Sequence, residues 1–222
     1  MTETTRTTAM DTISTEPLVY PVGRYTGVFH PSVGAPAKYH SLSIGRLSVT
    51  LDEEQAFAVW AAAHQPPDEP DRAWTRTAVA DAARNLAVAD PAPVMAEFFE
   101  DGLLAEVTPG TPDAVDFARV HRVLPLMLSL GNTPEDPLHY GIGLFGVQPV
   151  LRVPTLVHEV WLWSSAGGSL WDVCVALADA GAQAGVEDQR EHDPEYVLGI
   201  FLTALPLLIG VNAACLDEAP RA

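Results

Sequence analysis

Threonine-rich, aperiodic residues fill the first sixteen positions and predict a disordered tail over 1–16, with ordered structure starting at Pro17. β-branched and aromatic residues over 18–29 and 39–51 flank the turn-forming stretch 31–36, which predicts a hairpin. Residues 43–51 alternate around Gly45 in the manner of one half-buried strand. Thr50 with Glu53 reads as a capping box, and Phe57, Trp60, Ala61 and His64 fall at helical spacing, so a helix is expected over 52–64, ended by Pro66-Pro67. Thr75 is the expected cap of a second helix reaching about Leu86, with Val79, Ala82, Ala83 and Leu86 inward. Asp90-Pro91 opens a third helix that stops at Gly102, and 103–107 continues as a strand.

The pattern then repeats. Thr111-Pro112 opens a helix over 111–132 carrying Phe117, Val120, Leu124, Met127 and Leu128, kinked at Pro125 and stopped by Gly131-Asn132. Strands are expected over 142–147 and 150–153, followed by a helix with Val157, Val160 and Trp161. Another begins at a Ser169/Asp172 capping box and runs to about Ala184, and an apolar helix opens at Asp193-Pro194 and ends at Gly210. Ile44-Gly45 answers Ile142-Gly143, Val59-Trp60 answers Val160-Trp161, and Asp90-Pro91 answers Asp193-Pro194. Landmarks in shared order over about seventy residues point to duplication. The expected fold is α+β, mostly helical, with tandem winged-helix-like repeats over 17–110 and 133–222 joined by a connector helix over 111–132.

Charge narrows the partners. Twelve Lys and Arg stand against 29 Asp and Glu, a formal net charge of −17 in 222 residues, which repels phosphate backbones and anionic lipid. Nucleic acid and membrane are therefore not expected partners. The third helix of each repeat, where a helix-turn-helix protein carries base-reading donors, contains no Lys, Arg, Asn or Gln between 91–101 or 194–209. The longest apolar run, 196–211, is interrupted by Pro206 and falls short of the roughly 20 residues that cross a bilayer. It is expected to be a core helix or a homodimer interface. Cys174 and Cys215 are the only cysteines, with no CxxC and no secretory leader, which fits a reducing cytoplasmic setting.

Residues 43–108 resemble the small winged-helix fold of PqqD-like peptide-recognition domains, which accompany enzymes that modify ribosomally made peptides. The resemblance rests on the strand 44–51, the helix with its central Trp60, and the Asp90 helix ending in Gly102-Leu103-Leu104. It implies that a peptide adds a strand to the hairpin edge and packs on the third helix. Carried onto this chain, the site consists of Arg46, Ser48, Val49 and Thr50 with Val94, Met95 and Phe98, beside Phe99.

Catalytic patterns are sparse. Gly141-Ile142-Gly143-Leu144-Phe145-Gly146 spells GxGxxG, but strand-like residues follow it where a dinucleotide site needs a helix. His158-Glu159 starts like a zinc-protease motif, yet the next histidine is His192. No cofactor or metal is expected, and both cysteines read as small core residues. Arg119 and Arg122 around His121 form the only basic cluster, an anion site or a solvated helix face. The leading expectation is a non-catalytic accessory factor that binds a peptide or partner protein. The alternatives are a small cyclase or lyase using His121, His158 or a buried carboxylate, and a scaffold or regulator dimerising through 194–210.

Overall fold

A computed structural model describes Met10 and residues 12–220. The first half of the chain runs β1 (Leu18–Pro21), β2 (Arg24–Phe29), β3 (Tyr39–Ile44), β4 (Leu47–Leu51), α1 (Glu54–Ala62), α2 (Arg76–Asn85), α3 (Ala92–Glu100) and β5 (Leu104–Val107). β2, β3 and β4 form an antiparallel meander, and β1 pairs with β5. The predicted β2/β3 hairpin is present, but 43–51 is two strands rather than one. The chain reverses at Gly45-Arg46, where Gly45 has φ +56, a region that a glycine enters without steric cost. Thr50 is thereby paired with Ser41 in the sheet, so no capping box forms, and Glu53 caps α1 through its backbone alone. Thr75 caps α2 as expected, accepting from the Ala78 N–H, while Leu86 lies beyond the helix and is 53% exposed instead of facing inward.

The helix expected over 111–132 is α4 (Pro112–Val120) only. Residues after it form β6 (His121–Pro125) and β7 (Leu128–Thr133). Val120, Leu124 and Leu128 at intervals of four satisfy a helical pattern, but Pro125 would lose a helical N–H and collide with the preceding turn. The strand instead buries Val123 fully and pairs with β10 (Ala214–Glu218). The second half continues β8 (Asp136–Gly143), β9 (Leu151–Pro154), α5 (Thr155–Trp163), α6 (Leu170–Ala184), a 3-10 turn at Gln189–His192 and α7 (Pro194–Gly210). The strand expected over 142–147 ends at Gly143, and Leu144–Val147 forms a turn. The capping box of Ser169 and Asp172 forms, and Asp193 caps α7. Helix makes up about 39% of the described residues and strand about 26%, so the fold is α+β without being mostly helical.

Order and pairing are the same in both halves: four strands, three helices, and a last strand that returns to pair with the first. Detail matches too. Val22 N–H donates to Leu103 O and Leu126 N–H to Ala213 O, both at 2.9 Å. The ladder shifts register between Tyr25 and Gly27 in one sheet and between Ser129 and Gly131 in the other. The tryptophan bonds differ: Trp60 Nε1 donates to Val22 O and Trp161 Nε1 to Ala213 O, the opposite member of the equivalent linked pair. Counted this way the second unit begins at β6, inside the segment expected to connect them.

One core joins the halves. The α7 helix lies at its centre, buried from Val197 to Ile209 except for Thr203. It is internal core with no open apolar face, which removes dimerisation through 194–210. Pro206 has no N–H to give to Leu202 O, and Tyr20 of the first half supplies the missing donor from its buried hydroxyl at 3.1 Å. Buried Asp217 on β10 accepts from the Gly45 N–H and from Arg122, tying the β3/β4 turn to the second half. Two residues of the expected tail are held in place: Ile13 packs on the core against Gly199, and Ser14 N–H donates to Thr203 Oγ1. Residues 1–9 and 11 of the expected tail lie outside the described residues.

Candidate functional site

The residues expected to receive a peptide separate into an open set and a buried set. Arg46, Ser48 and Thr50 are exposed and Val49 is half-buried, all on or beside β4, the outer strand of its sheet. On α3, Met95 and Phe98 are 5% and 4% exposed and belong to the core, while Val94 is half-buried. The reason is geometric: α3 uses the face bearing Met95 and Phe98 to cover the first half's interior. Phe99 is capped by the Arg76 guanidinium at 4.1 Å, and Arg76 is itself paired with Glu106. The accessible part of the expected site is therefore the β4 edge.

Backbone alternation defines what that edge offers. The two-residue turn makes Ile44 and Leu47 the closing hydrogen-bonded pair, and in an antiparallel ladder such pairs alternate. Leu47, Val49 and Leu51 therefore bond inward to β3, and the N–H and C=O groups of Ser48 and Thr50 point out of the sheet. Side chains alternate as well. Leu47, Val49 and Leu51 share a face with buried Leu42 and Ile44, grading from 67% exposed at Leu47 to 6% at Leu51. Ser48 and Thr50 lie on the opposite face, where Ser48 Oγ meets Ser41 Oγ at 3.2 Å. Exposed Asp52, Glu53 and Glu54 follow directly.

The other three outer strands of the two meanders are each interrupted. β2 carries a bulge at Tyr25/Gly27, and β7 carries shifts on both sides of Gly131. β9 is four residues long, follows Pro149 and ends at Pro154. Bulges, prolines and short length are devices that stop an edge from pairing with another chain. β4 has a continuous register and contains no proline.

Polar chemistry gathers where each meander meets its first helix. In the first half His40 stacks flat on Phe57, with ring centroids 3.7 Å apart, and its two nitrogens lie 3.2 Å from the Tyr25 hydroxyl and from Glu54 Oε2. In the second half Tyr140 of the sheet stacks on His158 of α5 at 4.3 Å, and His158 Nε2 lies 2.8 Å from Ser129 Oγ. His158 Nδ1 faces Glu159 Oε1 at 3.6 Å without a hydrogen bond, and Trp163 Nε1 donates to Glu159 Oε2 at 3.1 Å. Burial holds the His158 pKa below the ordinary imidazole value, against the opposing pull of Glu159. Ser129, Tyr25 and His40 did not stand out in the sequence, because sheet pairing alone brings them to their partners.

Other sequence candidates resolve into structural roles. Arg122 is committed to Asp217, and Arg119 pairs with Asp116 beside the Trp171 ring, so each arginine faces a carboxylate. His121 directs Nδ1 at Phe117 O, and burial lowers its pKa. It shares a cleft of about 400 Å³ with Glu218, its ladder neighbour. A second cleft of about 240 Å³ beside Trp74 and Thr203 contains no histidine. Burial raises the Cys174 thiol pKa and pushes Cys215 up to about 11, so both thiols stay protonated. The GxGxxG string spans the end of β8 and its turn, with β9 rather than a helix following. Among the described residues no group of three His, Cys, Asp or Glu is placed to hold a metal, and no helix is long and apolar enough to cross a membrane. No family model, curated protein or solved structure matches the chain.

Proposed function

We propose that the protein is a peptide-binding accessory factor whose first half, a winged-helix-like unit, receives an extended segment as an added strand on β4. The observation that carries this reading is the contrast among the outer strands: three are bulged, short or bounded by proline, and β4 is regular and open. Main-chain bonds to Ser48 and Thr50 would hold the segment, and alternate side chains would lie beside Leu47 and Val49. Exposed Asp52, Glu53 and Glu54, in a chain of net charge −17, favour a segment that is neutral or basic and apolar at alternate positions. A factor of this kind suits the maturation of a ribosomally made peptide, holding the substrate while another enzyme acts on it. The second half then serves as the support, clamping the β3/β4 turn through Asp217.

Selection from a randomised peptide display library tests the reading. The protein is expected to enrich extended sequences of that pattern, and Ser48→Pro/Thr50→Pro, which removes two outward donors without touching the β3 ladder, is expected to lose them. Equal enrichment by the two proteins, or none by either, would refute it.

A further inference from the structure

The second half carries a chemistry that the peptide reading does not use. We infer that Ser129 is an activated nucleophile for acyl transfer, with His158 as its general base and Glu159 as the carboxylate that orients and balances the imidazole. The Ser129 side chain is exposed on β7, and its Oγ is 2.8 Å from His158 Nε2. The imidazole is 3% exposed and is held by the Tyr140 stack. Its Nδ1 is buried with no hydrogen-bond partner, and Glu159 Oε1 lies 3.6 Å from it. A carboxylate on that side favours the tautomer protonated at Nδ1, which leaves Nε2 as the acceptor for the serine proton. Glu159 is fixed in turn by Trp163. A nucleophile, a base and an orienting acid thus follow one another in space, with the acid contact long in the resting state and free to close as the imidazolium forms.

The two halves differ at these positions in a way that packing does not demand. Tyr25 occupies the place of Ser129, each just before its bulge, and Phe57 occupies the place of His158, each three residues before the core tryptophan. Phe57 shows that the stack needs no imidazole here. The bulge also leaves the space beside Gly131 empty, since a methyl group there would touch nothing within 4 Å. A carbonyl group has room to approach Ser129 from that side. Because Ser129 is exposed, the substrate class is an activated acyl ester or thioester on an extended or small acyl group.

The step balances without a cofactor. Ser129 Oγ bonds to the acyl carbon as its proton passes to His158 Nε2. The bond to the leaving alcohol or thiol then breaks, and the leaving group takes that proton. Water or another acceptor nucleophile repeats the sequence in reverse to release the acyl group and regenerate the serine.

The test is labelling of the intact protein with a fluorophosphonate, read by peptide mass spectrometry. Ser129 is expected to label at least ~100-fold faster in the folded protein than in urea, the contribution typical of a positioned base. Ser129→Ala is expected to abolish that adduct, and His158→Phe, which copies the first half, to slow it to the unfolded rate. Ser129 labelling no faster in the folded protein than in urea would overturn the inference. So would undiminished labelling in a folded His158→Phe variant.

Discussion

The two halves share one plan and differ in where they spend polar chemistry. In the first, an imidazole on the sheet lies over a phenylalanine on the helix. In the second, a tyrosine on the sheet lies over an imidazole on the helix. Each arrangement fills the same volume between a meander and its first helix, so the stack is a packing requirement and the position of the histidine is not. The outer edges differ likewise: the first half leaves β4 regular, and the second blunts β9 with flanking prolines. The same order and pairing of elements builds the frame twice, and each half leaves a different surface open.

Five substitutions break or sharpen that comparison. The largest effect falls on the shared frame. Trp60→Ala and Trp161→Ala are each expected to cost about 3–5 kcal/mol in urea unfolding, with Trp161 at the upper end because it is 1% exposed and donates at 2.9 Å, against 3% and 3.3 Å for Trp60. Acid should act next, through a group of the first half that lacks a counterpart. Burial lowers the His64 pKa to about 4, so the folded state resists its protonation. Stability is then full above the unfolded value of about 6.5 and falls by up to about 3 kcal/mol as pH drops toward 4, a slope that His64→Gln should flatten.

Tyr20→Phe cuts the link between the halves. It leaves Leu202 O without a donor beside Pro206 and should cost about 1–3 kcal/mol. His158→Phe, which makes the second stack resemble the first, removes a buried unpaired nitrogen and should change stability by less than about 1 kcal/mol. A larger loss in the same urea assay would mean that the imidazole is needed for packing.

Much of the frame was legible from local signals. Thr75, Ser169 and Asp193 are caps whose side chains bond where the sequence places them, and the paired tryptophans mark equivalent helices. The segment 121–133 was not, because its leucine spacing fits a helix as well as a strand; pairing with β10, nearly a hundred residues later, decides it for 121–125, and pairing with β8 for 128–133. The turn at Gly45 was hidden for a related reason: alternation continues through a two-residue reversal, so one strand and a hairpin look alike. Of the expected site, the β4 residues are open and the α3 residues are not. An amphipathic helix shows which residues are apolar, but not whether the face they make is covered by its own core. Ser129 carried no signal, since its partner is 29 residues away and the pairing depends on a bulge.

The most direct test of the account is amide hydrogen exchange, measured on the free protein and with a display-selected peptide at saturation. Exchange at Ser48 and Thr50 should slow by at least ~10-fold on binding, while Leu151–Pro154 in the second half stays unchanged. Protection on β9 instead, or binding without any change at Ser48 and Thr50, would contradict the claim that the first half alone keeps a strand-accepting edge.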